Sequence, residues 1–173
     1  MYRTLILAGV LALAPITVAA AQDAGPTDAQ IAHIAYTAGQ LDVAAAQQAL
    51  EKSTNPEVRA FAELMARDHA AVNEQAVALV TRLAVTPEAN PTSTALTEAA
   101  AATHARLEAL DGAAFDAAYV ANEAAYHQTV NAALSGTLIP QADNAELKAL
   151  LETGLTLFQS HQAHAEHLAQ SVR

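Results

Sequence analysis

The chain has 173 residues, 18 of them acidic and 8 basic, a formal net charge of −10, and no cysteine. A surface this acidic repels phosphate backbones and anionic lipid, so nucleic acid is not an expected partner, while cationic ligands, including metal ions, are compatible with it. The lack of cysteine excludes disulfides, thiolate ligands, a catalytic thiol and a lipidated N-terminal cysteine, so stability must come from packing.

The first residues read as an export signal. Arg3 forms a minimal positive region, Leu5 to Ala14 is a short apolar core ended by Pro15, and Ala19, Ala20 and Ala21 supply a small-residue cleavage site before Gln22. Cleavage is expected after Ala21, leaving residues 22–173 as one domain in a periplasmic or secreted location. The alternative is an uncleaved anchor, but the apolar run is shorter than the roughly 20 residues a spanning helix needs. No stable membrane insertion is expected after cleavage.

Aromatic content is 4% and tryptophan is absent. Alanine, the best helix former, dominates, and residues that favour strands are sparse. The chain therefore reads as all-α. A first helix begins near Thr27, which forms a capping-box pattern with Gln30. Its apolar seam is Ile31, Ala35, Ala38, Asp42, Ala45 and Ala49. Ser53 to Pro56 make a turn in which Asn55 caps the second helix and Pro56 takes its first position. The second seam is Val58, Ala62, Met65, His69, Val72, Ala76, Leu79 and Leu83, after which Pro87 and Pro91 hold a loop.

Residues 95–110 form a shorter amphipathic helix with Leu96, Ala100, Thr103, Leu107 and Leu110 on one face, and Gly112 breaks it. A third long helix carries Asp116, Val120, Glu123, His127, Val130 and Leu134 on its seam, with Phe115, Tyr119 and Tyr126 beside it. Ser135, Gly136 and Pro140 make the next loop. The fourth long helix starts near Asp143 or Asn144, with Leu147, Leu151, Gly154, Phe158, His161, Ala165 and Leu168 as its seam. A 16-residue crossover helix covers about 24 Å, enough to return the chain along the bundle. The second and third long helices would then run parallel, as in a ferritin-like four-helix bundle with one long crossover.

Asp42, His69, His127 and His161 each stand on the seam of a different long helix, where alanine, leucine or valine is expected. Such groups are costly to bury unless hydrogen-bonded, paired or metal-bound. They lie near the helix midpoints, so they are expected to meet at one level. Glu123 precedes His127 by four residues and shares its face. Imidazole and carboxylate together suit zinc, iron, copper or manganese. The carboxylate-bridged di-iron site is disfavoured, because that site uses two Glu-x-x-His pairs and this chain has none. A mononuclear, histidine-rich site survives that comparison.

The bland alternative is a packing network in which Asp42 pairs with one histidine and Tyr119 and Tyr126 close the hydrogen bonds. His33 lies about 180° round its helix from Asp42 and is expected to face solvent. His164 and His167 drift off the seam beyond His161 and, with Glu166, read as solvated. His104 and Glu108 read as an exposed pair. Asp68 lies about 100° from His69, so the two are not expected to point straight into one site. Nucleophilic catalysis and phosphate binding have no motif here.

Two stretches carry a resemblance. Residues 55–69, Asn-Pro-Glu-Val-Arg-Ala-Phe-Ala-Glu-Leu-Met-Ala-Arg-Asp-His, and the run from Gly112 to Asp116 followed by Tyr119 and His127, resemble the motifs of the secreted bacterial "domain of unknown function 4142" family. The resemblance spans about Asp28 to Leu168. It implies an exported ferritin-like bundle with no established activity, and His69 and His127 match family motif positions. Asp42 stands where the family tends to have glutamate, and Tyr126 where an acidic residue commonly precedes the histidine. The expectation is a non-enzymatic protein that holds one transition-metal ion through His69, His127 and His161, with Asp42 or Glu123 as the anionic partner. Its rivals are an envelope stress or interaction protein with structural histidines, a variant of which is a pH-responsive switch, and a redox or peroxide-handling metalloenzyme.

Overall fold

The computed structural model describes residues 25–172. The expected signal segment and its cleavage site after Ala21 lie outside the described residues. Helix α1 spans Asp28–Lys52 and α2 spans Pro56–Arg82. Thr27 and Gln30 complete the capping box, and Asn55 accepts from Glu57 N and Val58 N with Pro56 at the first position, as the sequence predicts. The crossover helix α3, Pro91–Glu108, starts four residues earlier than expected. Pro91 does not hold a loop. It sits at the start of α3, where its missing N–H costs nothing, and Asn90 caps it.

Gly112 opens α4, Gly112–Ala133, with a φ of +55° that glycine adopts without strain. The loop expected at Ser135, Gly136 and Pro140 does not form. The chain instead continues into a π-helical turn, Leu134–Leu138, and a single turn α5, Ile139–Gln141, before Asn144 caps α6, Ala145–Ser171. Pro140 is tolerated because a short first turn has no use for its N–H.

Hydrogen bonds fix the topology. Asn90 Nδ2 donates to Gln30 O at the start of α1, and Lys52 Nζ donates to Glu108 O at its end, so α3 runs parallel to α1. The crossover therefore returns the chain to the end where α2 begins, and α4 runs parallel to α2. Arg82 pairs with Glu146, and Ser171 Oγ donates to Glu57, so α6 is antiparallel to both. Asp28 accepts from Asp143 N and Asn144 N, so α1 and α6 start at the same end and run in the same direction, at opposite corners of the bundle. This is the expected ferritin-like four-helix bundle with a long crossover carrying an extra helix.

The interior has two apolar cores. One surrounds Phe61, Met65, Phe115, Tyr119 and Leu107, all without exposure, with Tyr119 stacked on Phe115 and edge-on to Phe61. The other surrounds Ile31, Leu79, Leu134, Leu147 and Leu151. Between them lies a layer of buried polar groups.

Candidate metal centre

The polar layer contains every residue the sequence singled out. Asp42, His69, Glu123, His127 and His161 are all buried, at 1–3% exposure. The heptad registers of α1, α2, α4 and α6 coincide at this level, which is why one polar group per helix becomes one site.

The geometry is tightest around three atoms. His69 Nε2 and His127 Nε2 are 3.3 Å apart, and Asp42 Oδ2 lies 3.5 Å from the first and 3.6 Å from the second. His161 completes a trio of imidazoles whose nitrogens lie within 4.8 Å of one another, and Asp42, Glu123 and His127 form a second group at the same spacing. His69 is stacked on Phe158, with ring centroids 4.5 Å apart and planes 7° from parallel, so its ring plane is set by an apolar neighbour.

The tautomer of His127 follows from its backbone contact. Its Nδ1 is 3.0 Å from Glu123 O, and a carbonyl can only accept. Nδ1 therefore carries the proton, and Nε2 turns a lone pair toward Asp42 and His69. Anchoring one ring nitrogen in this way is how metal-binding histidines are oriented.

Asp68 has a contact that its helical-wheel position does not show. It does not enter the layer from its own helix face, but its Oδ2 reaches sideways to His161 Nε2 at 3.1 Å while its Oδ1 accepts from Arg67 Nε at 2.7 Å. The helical-wheel angle to His69 was right. The angle says nothing of a lateral partner on α6. His161 Nδ1 is left buried with no hydrogen-bond partner.

The electrostatics favour the neutral state of every member. Burial pushes Asp42 up to about 8 and Glu123 well above the usual carboxylate range, where the nearby Asp42 charge adds to the effect. Burial, with the neighbouring imidazoles, pulls His69 down to about 3. Burial also pulls His127 down to about 4, against the opposing bond to Glu123 O. Neither oxygen of Asp42 accepts a hydrogen bond, and Glu123 Oε2, His69 Nδ1 and Tyr119 Oη are also without partners. The tyrosine-closed network therefore does not form. Tyr126 Oη donates to Ala38 O at 2.9 Å.

The peripheral histidines divide. His104, His164 and His167 are exposed, as expected. His33 is half-buried, with Thr37 Oγ1 3.4 Å from its Nδ1, and does not simply face solvent. Glu108 is held by Gln48 Nε2 at 3.0 Å and Lys52 rather than by His104.

The chain matches the family described as "Domain of unknown function (DUF4142)" over residues 13–168. It belongs to that family. No curated protein matches it. Two solved structures share its fold. One is described as a secreted protein, DUF305, from Streptomyces coelicolor, with a TM-score of 0.69 at 16% identity, covering 82% of this chain and 90% of that one. The other is CopM in the Cu(II)-bound form, with a TM-score of 0.64 at 14% identity, covering 85% of this chain and 98% of that one. Among the described residues, no helix is long and apolar enough to cross a membrane.

Proposed function

We propose that this chain is an exported DUF4142 bundle, residues 22–173 after signal removal, that binds one transition-metal ion in its buried polar layer, in a binding rather than a catalytic role. His69 Nε2, His127 Nε2 and Asp42 Oδ2 are the primary ligands, His161 supplies a further imidazole, and Glu123 balances charge behind Asp42. The observation that carries this reading is the 3.3, 3.5 and 3.6 Å triangle. Ligands about 2.0–2.1 Å from a shared ion at near-tetrahedral angles stand about 3.3–3.5 Å from one another.

The donor set fits a first-row divalent ion. Imidazole and carboxylate without thiolate suit copper, zinc, iron or manganese, and the general stability order makes copper(II) the tightest. That CopM, a bundle of the same fold, is known in a Cu(II)-bound form supports the same preference. Asp68 acts as a positioning residue by accepting from His161 Nε2, the carboxylate–histidine arrangement common behind metal ligands. A mostly apolar cavity of about 440 Å³ beneath α3 reaches Asp42 and Glu123, with Gln48 and Asn122 among the few polar groups in its wall.

Metal analysis of protein purified without a histidine tag tests the proposal. One equivalent of metal is expected, lost in His69→Ala, His127→Ala and Asp42→Asn. No stoichiometric metal, with no thermal shift on adding copper, zinc, iron or manganese, would overturn it and favour the packing reading.

A further inference from the structure

The polar layer separates two unlike halves of the bundle. On the side of Phe61 and Phe115 the core residues between the long helices are buried, most without exposure. On the other side the facing seams carry Ala35, Ala38, Gly39, Ala76 and Gly154, and the helices line a cavity of about 760 Å³ that is partly open to solvent. That is well inside the roughly 300–1,000 Å³ range of small-molecule sites. The cavity runs from Gly25 and Leu147 at the end of the bundle to His69 and His127 at the polar layer.

Its lining has a definite chemistry. No Asp, Glu, Lys or Arg contributes to it, in a chain with 26 such residues. Apolar cavities of this kind stay dry or take apolar guests. Two polar groups in the wall are unspent, His69 Nδ1 at the polar layer and, one turn beyond it, Asn73, which is 5% exposed with its Nδ2 buried and without a hydrogen-bond partner. An unmet buried donor costs about 1–3 kcal/mol. Gly39 makes room for this amide, since a Cβ there would lie 2.3 Å from Asn73 Oδ1. The wall also holds the π-helical turn at Leu134–Leu138, a local widening of the helix that recurs at functional sites.

We propose that this cavity binds one uncharged lipophilic molecule, with its hydrocarbon body along Ala35, Ala76, Leu134 and Leu151 and an acceptor oxygen, such as a carbonyl, facing Asn73. In the metal-free protein, fatty-acid anions and phospholipid headgroups are disfavoured because no Lys or Arg lines the wall to meet them. The site lies beside the metal layer but does not depend on a metal being there.

The test uses metal-stripped protein and the fluorescent neutral lipophile N-phenylnaphthylamine, displaced by methyl undecyl ketone, dodecane or dodecanoate. Saturable binding at one equivalent is expected. The ketone should displace the probe, and dodecanoate should be at least about tenfold weaker. Asn73→Leu should weaken the ketone roughly three- to tenfold, the worth of one hydrogen bond, and leave dodecane unchanged. Ala76→Phe fills the cavity and should abolish binding while keeping the helical circular dichroism. Ala35→Phe, on the facing helix, serves if that variant does not fold. No saturable binding, binding undiminished in a folded cavity-filled variant, or preference for dodecanoate would each overturn the proposal. None of these outcomes bears on whether a metal binds.

Discussion

Asp42 provides a stringent test, because folding and the proposed metal binding act on its proton in opposite directions. Its carboxyl titrates at about 8 in the fold, raised by burial from 3.8. Between those values the folded chain keeps a proton that the unfolded chain releases, so stability falls as pH rises, by about 1.4 kcal/mol per pH unit. His69 and His127 work the other way. Burial lowers them from 6.5 to about 3 and about 4, so their contribution is lost as pH falls below 6.5. Below 6.5 the two trends offset each other, and above it only the carboxyl trend survives. Over the pH unit above 6.5 the metal-free protein should lose about 1.4 kcal/mol through Asp42. For a domain of this size that is roughly 3–6 °C in Tm. Glu123 adds to the same slope, and Asp42→Asn should reduce it. A metal ion needs the ionised carboxylate, so loading below the Asp42 pKa releases a proton and Kd should fall by up to about tenfold per pH unit. Thermal melts followed by circular dichroism, from slightly acid to slightly alkaline buffer, with and without one equivalent of copper(II), read both trends at once. A metal-free Tm that is flat or rising above 6.5, or the same slope in Asp42→Asn, would refute the reasoning.

Three further outcomes are expected. Asp68→Asn should lower metal affinity about 10- to 100-fold by releasing His161 Nε2 from its carboxylate, without removing a ligand, as titration of the metal-stripped protein would measure. Gly39→Ala should force its Cβ against Asn73 and displace that amide, cancelling the helix-propensity gain of about 1 kcal/mol, and the gain should return when Asn73→Ala is added, a coupling that a double-mutant cycle in urea would detect. Ala84 has a φ of 54° at the end of α2, where Val85 N bonds to Val80 O and Ala84 N to Thr81 O. Glycine suits that left-handed position, so Ala84→Gly should raise stability by about 0.5–1 kcal/mol, read as a higher urea midpoint.

The seams of the four long helices were legible because each buries one stripe with heptad spacing. On α6, Leu147, Leu151, Gly154, Phe158, His161, Ala165 and Leu168 are all buried, as periodicity alone predicts. Caps at Thr27 and Asn55 were legible for a similarly local reason: a short polar side chain bonds to an N–H two or three residues on. What escaped was lateral or cumulative. Asp68 enters the site through the reach of His161 across a helix groove, and no single-helix pattern encodes that. The π-helical turn at Leu134–Leu138 looked like a loop because Ser135, Gly136 and Pro140 are turn formers, yet Leu134 and Leu138 stay buried and hold the segment helical. The hollow half of the bundle is a sum over small side chains on four seams, visible only once the helices are set against each other.

The distances within the polar layer bear on the choice between a packing network and the proposed metal centre. In a network, a protonated Asp42 would donate to an imidazole nitrogen, and such bonds close to about 2.7–3.2 Å. Asp42 Oδ2 instead stands off both rings, at 3.5 and 3.6 Å, and neither of its oxygens accepts a hydrogen bond. The 3.3 Å contact between the two Nε2 atoms can be one hydrogen bond, with His69 Nε2–H donating to His127. It leaves Asp42, Glu123 Oε2 and His161 Nδ1 unspent. Removing such groups in favour of apolar ones of similar size is commonly neutral or stabilising, so packing alone gives them no reason to stay polar. The proposed cation would account for the same facts together: it would satisfy the lone pair that the Glu123 carbonyl leaves on His127 and draw the buried carboxylate into its charged form. It also needs its ligands separated by more than a hydrogen bond. Replacing Asp42 by leucine should therefore raise the stability of the metal-free bundle while abolishing its response to copper, whereas in a packing network the same change would lower stability.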